Sequence, residues 1–388
     1  MKILQYCQYI LGIGHLCRSL EISRGFAGHD VVLVTGGRDF PVALPERVRE
    51  HRLPALVMDA EFSGLKTPDQ KRSLEAIKLL RRARLTEIFQ AEKPDALLVE
   101  LYPFGRKAFR FELDPLLEGI RNGSLHRCLV FCSLRDILVE KDNSRKHEHR
   151  AVDILNRLFD GLLVHADPDL IPLDRTFSLA TDIAIPLDYT GFVCPGPSAP
   201  AGLRARLGIS PREKWIVASA GGGQVGGPLL TAVMEAARKL AADIPVRLQV
   251  FTGPFLNQLE YQLLSSGRNH HIRVQRFTDR FPAYLAEADL SISMAGYNTC
   301  MNILAAGIPA LVWPFPQNRE QRLRAEALAD RGLLGVLSET DLSADGMANR
   351  IRQALNQGRP PATTLRINGA EETRRVVEER IRKREAIA

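Results

Sequence analysis

Residues Ala288 to Arg331, ADLSISMAGYNTCMNILAAGIPALVWPFPQNREQRLRAEALADR, decide how the rest of the chain is read. The stretch predicts an apolar strand (Asp289 to Ser293), a loop (Met294 to Asn298), a helix (Thr299 to Ala306) and a Gly-Ile-Pro turn. A second strand (Ala310 to Trp313), a polar loop and a long amphipathic helix follow. Strands joined by a crossover helix run parallel. Loops at the carboxyl ends of such strands line one crevice, so Gly296, Tyr297, Asn298 and the segment Pro314 to Gln321 are expected to face one small molecule.

The same alternation runs outward in both directions. Lys2 to Tyr9 predicts the first strand, and LGIGHLCR is the loop that opens the first helix. Gly12 and Gly14 permit close backbone approach there, and His15 stands at the helix start. A dinucleotide fingerprint requires a third glycine and an acidic residue about 20 positions on. Position 17 is Cys and the second strand, VVLVTGG, ends in Gly36 and Gly37, which argues against a nicotinamide cofactor. Further strands are expected at Leu53 to Asp59, Asp95 to Glu100, Cys128 to Ser133, Leu162 to His165 and Tyr189 to Val193. Gln70 to Lys93 reads as a helix with Leu74, Ile77, Leu85 and Ile88 on one face, interrupted by Arg81. Glu100 and Asp136 close two strands on the side where His15 projects, so any of the three could serve as a general base.

The segment CPGPSAP punctuates both patterns and marks a connector. A chain of 388 residues exceeds the roughly 250 to 300 at which single cores stop growing, so two domains are expected. The second opens with the strand Lys214 to Ala220, which delivers AGGGQVGGP. Glycines in that strand-to-helix turn, with Pro228 in the first helical turn, build an anion site from backbone amides. No G-K-[ST] follows, so it is not a Walker loop. Strands at Val246 to Thr252 and His271 to Phe277 come next, and Thr278 or Asp279 can cap the helix after them.

Composition narrows the class. Hydrophobic residues make up 45% and charged residues 25%, ordinary for globular proteins. Six cysteines are scattered without a C-x-x-C pair, which suits a reducing cytoplasm. The N-terminal run is expected to be a strand rather than a signal peptide, and no stretch of about 18 apolar residues occurs. Residues 1–200 hold 27 Lys and Arg against 27 Asp and Glu, whereas 201–388 hold 25 against 18, so the whole net charge of +7 lies in the second half. The dispersed basic residues carry no nucleic-acid motif, and a nucleotide diphosphate accounts for them.

The pattern SxAGxNTxxxILAAGxPALxxPF, with Glu320 and Gln321 further on, resembles the donor-binding region of GT-B glycosyltransferases, nearest to the family 28 group. The resemblance implies an α/β architecture of two Rossmann-like, doubly wound parallel-sheet domains facing a central cleft. It places an acceptor domain at 1–194, a linker at 195–202, a donor domain at 203–360 and a C-terminal helix, 361–388, crossing back. Gly221, Gly222, Gly223 and Gln224 fall on the family's G-G-S-Q-G loop, Phe277 and Thr278 on the loop that brackets the base, and Ala295, Gly296, Tyr297, Asn298 and Thr299 on the donor motif. Asn302 stands where the peptidoglycan enzymes carry a ribose-binding glutamate, and Gln321 and Arg322 stand where they carry paired glutamines. Donor class survives these departures; donor identity does not. His15 resembles the G-x-G-H loop shared with UDP-sugar hydrolases of nonulosonate synthesis.

The implied activity is inverting, metal-independent transfer of a hexose-type sugar from a UDP-linked donor to a hydroxyl or amine acceptor. No cofactor beyond the donor and no metal site is expected, because the one D-x-D, Asp167 to Asp169, lies in the first domain. A hydrolase, an epimerase and a non-catalytic nucleotide-sugar binder are the alternatives. The expected setting is cytoplasmic, with peripheral contact at the inner membrane face through the basic residues of the 70–93 helix if the acceptor is a lipid.

Overall fold

The computed structural model describes all residues except 10–12, 38, 41, 59–63, 69–71, 139–143, 197–201 and 387–388. The chain divides into two compact units, Met1–Val193 with Asn368–Ala388, and Cys194–Ile367.

In the first unit the strands are β1 (Lys2–Tyr6), β2 (Asp30–Thr35), β3 (Val48–Arg52), β4 (Val57–Met58), β5 (Leu65–Lys66), β6 (Ala96–Glu100), β7 (Leu129–Arg135), β8 (Gly161–His165) and β9 (Leu187–Tyr189). The helices are α1 (Gly14–Gly25), α2 (Leu74–Glu92), α3 (Arg110–Asn122) and α4 (Ser144–Leu158). Seven strands form one parallel sheet in the order β3-β2-β1-β6-β7-β8-β9, and β4 and β5 make a separate antiparallel hairpin. Its central strands, ILQY of β1 and ALLVE of β6, are buried almost throughout, as a sheet covered on both faces requires. The strand expected at Leu53 to Asp59 is not the sheet's third strand. That place is taken by VREHR of β3, an edge strand whose half-exposed polar residues hide the strand signal. Asp59 lies outside the described residues, as do Gln70 and Lys71 of the helix expected from 70; α2 starts at Leu74, where the Ser73 hydroxyl accepts from the Ala76 amide.

The second unit holds β10 (Lys214–Ser219), β11 (Val246–Phe251), β12 (Ile272–Gln275), β13 (Leu290–Met294), β14 (Ala310–Trp313) and β15 (Gly335–Val336). Its helices are α5 (Leu203–Arg206), α6 (Gly227–Leu240), α7 (Gln258–Ser266), α8 (Phe281–Glu287), α9 (Tyr297–Ala306), α10 (Arg319–Ala329) and α11 (Ala344–Gln357). The parallel order β12-β11-β10-β13-β14-β15 reverses direction between β10 and β13, and the first sheet reverses between β1 and β6. These are the topological switch points at which open α/β sheets bind ligands. A last helix, α12 (Gly369–Glu385), belongs to the first unit and packs on α1. A Cβ on Gly25 would come 2.4 Å from the Ala370 carbonyl oxygen, so the approach depends on glycine there. The unit resumes at Asn368, which bridges Val193, rather than at the 361 boundary expected from sequence.

Arg81, the break in the apolar face of α2, is fully buried. Its Nε donates to Glu112 Oε2 at 2.9 Å and its Nη2 to Oε1 at 2.6 Å, while the Tyr6 hydroxyl donates to the same Oε1 at 2.5 Å. Nη2 also reaches Gln8 Oε1 and Nη1 the Pro54 carbonyl. The charged residue therefore continues the buried stripe with an ion pair. Removing one partner strands the other charge in the core, so Glu112→Gln should cost about 3 to 5 kcal/mol in denaturant unfolding. A loss below about 1 kcal/mol would contradict this account, and Arg81→Met with Glu112→Leu should recover much of it.

Candidate functional site

Each sheet presents chemistry at its own switch point. In the first unit, β1 leads into α1 and β6 ends at Glu100. Helix α1 has no side-chain cap at Ile13, and His15 sits in its first turn with its side chain 20% exposed. His15 Nδ1 lies 2.5 Å from Glu100 Oε1. Glu100 is 1% exposed, and three cations surround it or can do so: His15, Arg18, whose Nη2 donates to the same oxygen, and Arg106, whose Nε stands 3.7 Å from Oε2. Burial alone would raise the Glu100 carboxyl, but His15, Arg18 and Arg106 outweigh it and hold the group well below the usual carboxylate range. An ionised carboxylate only accepts hydrogen bonds, so the short contact places the proton on Nδ1. The neutral imidazole then keeps its lone pair on Nε2. Burial pushes the His15 pKa down, Glu100 opposes, and Arg106 and Arg18 add to the lowering, which favours that neutral form.

The structure thus joins two of the three candidate bases. Glu100 Oε1 is engaged by both His15 and Arg18. Asp136, 2% exposed beyond β7, accepts from the Ile137 amide at 3.0 Å, a local turn contact. Asp167 accepts from the Asp169 amide, which makes that D-x-D a turn. Gly14 opens α1, and Gly12 lies outside the described residues.

In the second unit the loop after β10 and the start of α9 meet. Cβ atoms built on Gly221 and on Gly296 would both lie 3.9 Å from the Thr299 hydroxyl oxygen. The N-cap residues of α6 and α9, Gly226 and Gly296, give no side-chain cap, so two positive helix ends flank the switch point. Helix α9 starts at Tyr297, two residues earlier than the sequence predicts, which puts Tyr297 and Asn298 in its first turn. Asn298 and Asn302 share a face four residues apart, as i,i+4 positions do.

The three glycines differ in role. The Gly221 amide donates to Ser219 Oγ at 3.1 Å and the Gly223 amide to the Ala220 carbonyl at 3.3 Å, whereas the Gly222 amide has no such bond among the described residues. Gly223 (φ 87°) is needed for close approach, since its Cβ would meet the Thr252 carbonyl oxygen at 2.5 Å; a Cβ on Gly222 would meet nothing within 4 Å. Gly253 ties this loop to the next, its amide donating to the Arg276 carbonyl beside Phe277, which is 38% exposed. Gln224 is exposed on the loop. The Thr278 hydroxyl accepts from the Arg280 amide at 3.1 Å, and Arg280 is the N-cap residue of α8, with no side-chain cap. Neither Thr278 nor Asp279 therefore caps that helix. Gln321 Oε1 accepts from the Phe315 amide at 3.0 Å, which closes the loop after β14, and Arg322 is exposed beside it.

Arg18 and Arg324, like Arg106, carry no motif mark in the sequence. Arg18 follows His15 by three positions, one helical turn, a spacing that could have exposed the pair. Arg324 is fully buried, donates to the Ala295 carbonyl at 3.2 Å and to Glu320 at 2.6 Å, and lies over the Tyr297 ring. Its i,i+4 acid partner looks in sequence like any surface pair.

Residues 217–380 match the glycosyltransferase family 28 C-terminal domain. Curated relatives include a UDP-N-acetylglucosamine--N-acetylmuramyl-(pentapeptide) pyrophosphoryl-undecaprenol N-acetylglucosamine transferase of Halalkalibacterium halodurans, 29% identical over 39% of this chain. The chain spans 41% of the length of that relative. The transferase of the same name from Haemophilus influenzae is 25% identical over 75% of this chain and 74% of its own length. Among solved structures, MurG of Acinetobacter baumannii superposes with a TM-score of 0.54 at 16% identity, covering 99% of this chain and all of that one. Phytolacca americana UGT2, complexed with UDP-2-fluoro-glucose and pterostilbene, gives 0.61 at 14% identity, covering 97% and 99%.

The glycine geometry makes a paired test. Gly222→Val should leave the melting temperature nearly unchanged and abolish any upward shift that added UDP produces, whereas Gly223→Ala should itself destabilise the unit by about 1 to 3 kcal/mol through left-handed strain. An unaltered UDP shift in Gly222→Val would remove the amide from the anion site.

Proposed function

We propose that this chain, which has the GT-B fold and carries a family 28 glycosyltransferase C-terminal domain, transfers a sugar from a UDP-type nucleotide-sugar donor to an acceptor hydroxyl or amine. The observation that carries the reading is the pair of uncapped helix ends, α6 and α9, on either side of the second unit's switch point. Such ends, with the Gly222 amide, suit a diphosphate. Phe277 offers an exposed ring for the base, and Asn298 and Asn302 offer amides for ribose or sugar hydroxyls. Lacking a carboxylate at Asn302, the site holds a diol by neutral hydrogen bonds, without the charge-assisted component.

The acceptor oxygen attacks the anomeric carbon in line as the bond to the diphosphate breaks. Its proton passes to His15 Nε2, which the Nδ1–H bond to Glu100 leaves as a neutral acceptor. The electron pair of the broken bond leaves on the diphosphate, where helix-end amides stabilise it, and a single displacement inverts the anomeric centre. A peripheral membrane contact is read from α2, which exposes Leu79 and Leu80 beside Arg82 and Arg84. No helix among the described residues is long and apolar enough to cross a membrane.

A panel of UDP-, TDP- and GDP-sugars, assayed for nucleotide release with and without hydroxyl or amine acceptors, tests the reading. Release that depends on acceptor supports transfer; release in water alone would make it a hydrolase. His15→Ala should lower turnover by roughly 10² to 10⁴ while leaving UDP affinity nearly unchanged, because the donor residues all belong to the other unit. Retained turnover would displace His15 from the role of base. With helix ends carrying the diphosphate charge, turnover should persist in excess EDTA, and loss reversed by magnesium would show that a metal clamp is needed.

A further inference from the structure

The assignment of His15 as base leaves a difficulty that the cluster itself answers. A carboxylate 2.5 Å from an imidazole normally favours the imidazolium, which cannot take a proton. We propose that Arg18 and Arg106 are positioning residues that take up the charge of Glu100, so that this carboxylate fixes the tautomer of His15 without turning it into a cation. This inference rests on the transferase reading only for its kinetic consequence.

The geometry is specific. Arg18 Nη2 shares Glu100 Oε1 with His15 and stands 3.2 Å from His15 Nδ1, one turn along the same helix. Arg106 approaches the other oxygen, and among the described residues neither Glu100 Oε2 nor Arg106 Nε has a hydrogen-bond partner, although both atoms are buried. The contact is therefore one of charge rather than of hydrogen bonding. The loop that carries Arg106 to this place is bracketed by two left-handed residues that are not glycine, Leu101 (φ 65°) and Arg106 itself (φ 58°). Side chains rarely adopt that region without cause.

Among the described residues, the thiols and the imidazole on neighbouring strands that feel Glu100 or Arg18 are held neutral. Cys7, on β1, has its thiol pushed up to about 12 by burial and then by Glu100. Cys132, on β7, is raised by burial and Glu100. His165, on β8, is lowered to about 3 by burial and then by Arg18, and hydrogen-bonds the hydroxyls of Ser133 and Thr190. The balance among these groups is thus one carboxylate against two guanidiniums. With both arginines present, the low proton affinity of His15 follows from burial and from their charge. Without one of them, the carboxylate is left to attract a proton to the imidazole.

Titration of the His15 Cε1–H resonance in the full-length chain, assigned by its absence in His15→Gln, tests this without a substrate. In Arg106→Gln the midpoint should rise by about one pH unit, a tenfold gain in proton affinity. The acid limb of kcat/KM should move up by the same amount. Arg18→Met should behave likewise and Arg18→Lys should restore the wild-type midpoint. Arg18 is 2% exposed whereas Arg106 is 10% exposed in its side chain, so Arg106→Gln remains informative if the Arg18 variants do not fold. A folded Arg106→Gln protein with an unmoved midpoint would overturn the proposal. Should no donor be turned over, the transferase reading falls while the resonance still reports on the arginines.

Discussion

The burial of the Glu100 carboxylate at the end of β6 is the constraint on which the first unit's site depends. A carboxylate 1% exposed cannot stay ionised unless opposite charge or strong donors reach it. That requirement fixes three placements at once. Arg18 must lie one turn after His15 so that both reach one oxygen, α1 must begin close to the end of β6, and the segment after Glu100 must turn sharply enough to return Arg106. The first two follow from strand order, since β1 and β6 are neighbours and α1 leaves from β1. The third takes left-handed backbone at Leu101 and Arg106, local strain held in place by the surrounding packing.

Both units use the same topological device with opposite chemistry. In the first, the helix entering at the switch point brings side chains, an imidazole and a guanidinium, to a buried carboxylate. In the second, the turn entering there brings backbone, with Gly222 open and Gly223 and Gly226 packed closely against Thr252 and Ala220. The difference suits the partners proposed for each. A proton acceptor needs one atom of tuned basicity, whereas a diphosphate needs several weak donors spread over its oxygens. Arg324 adds a hidden support, its guanidinium donating to the Ala295 carbonyl just before the Gly296 cap of α9.

Most of this architecture was legible in the sequence because parallel strands buried on both faces are short apolar runs, and the turns between them carry Gly and Pro. The failure at β3 has the same origin: VREHR lies at the sheet edge, where half the residues meet water and no apolar run forms. The donor loops were legible because glycine is a backbone statement, yet the sequence could not divide Gly222, open to a ligand, from Gly223, packed against Thr252. The dyad was half legible. His15 and Glu100 each stood at a strand-end position, but 85 residues separate them, and only the pairing of β1 with β6 brings them together. That contact pairs Glu100 with His15, a relation the two strand-end positions did not show by themselves.

The first unit buries a second carboxylate, and comparing the two separates structure from chemistry. Glu112 has both oxygens satisfied, Oε1 by Tyr6 and Arg81 and Oε2 by Arg81, in a closed pair with no exposed member. Among the described residues Glu100 is satisfied at Oε1 alone, and its imidazole partner is 20% exposed. Evolution toward stability alone would complete the second oxygen, since a buried unpartnered acceptor weakens the fold. Completing it with a direct Arg106 bond would also draw charge further from the imidazole and weaken its hold on the Nδ1 proton. The incomplete pairing of Glu100 is therefore consistent with a group whose charge must be balanced without being extinguished, and that is the condition a neutral, oriented histidine requires.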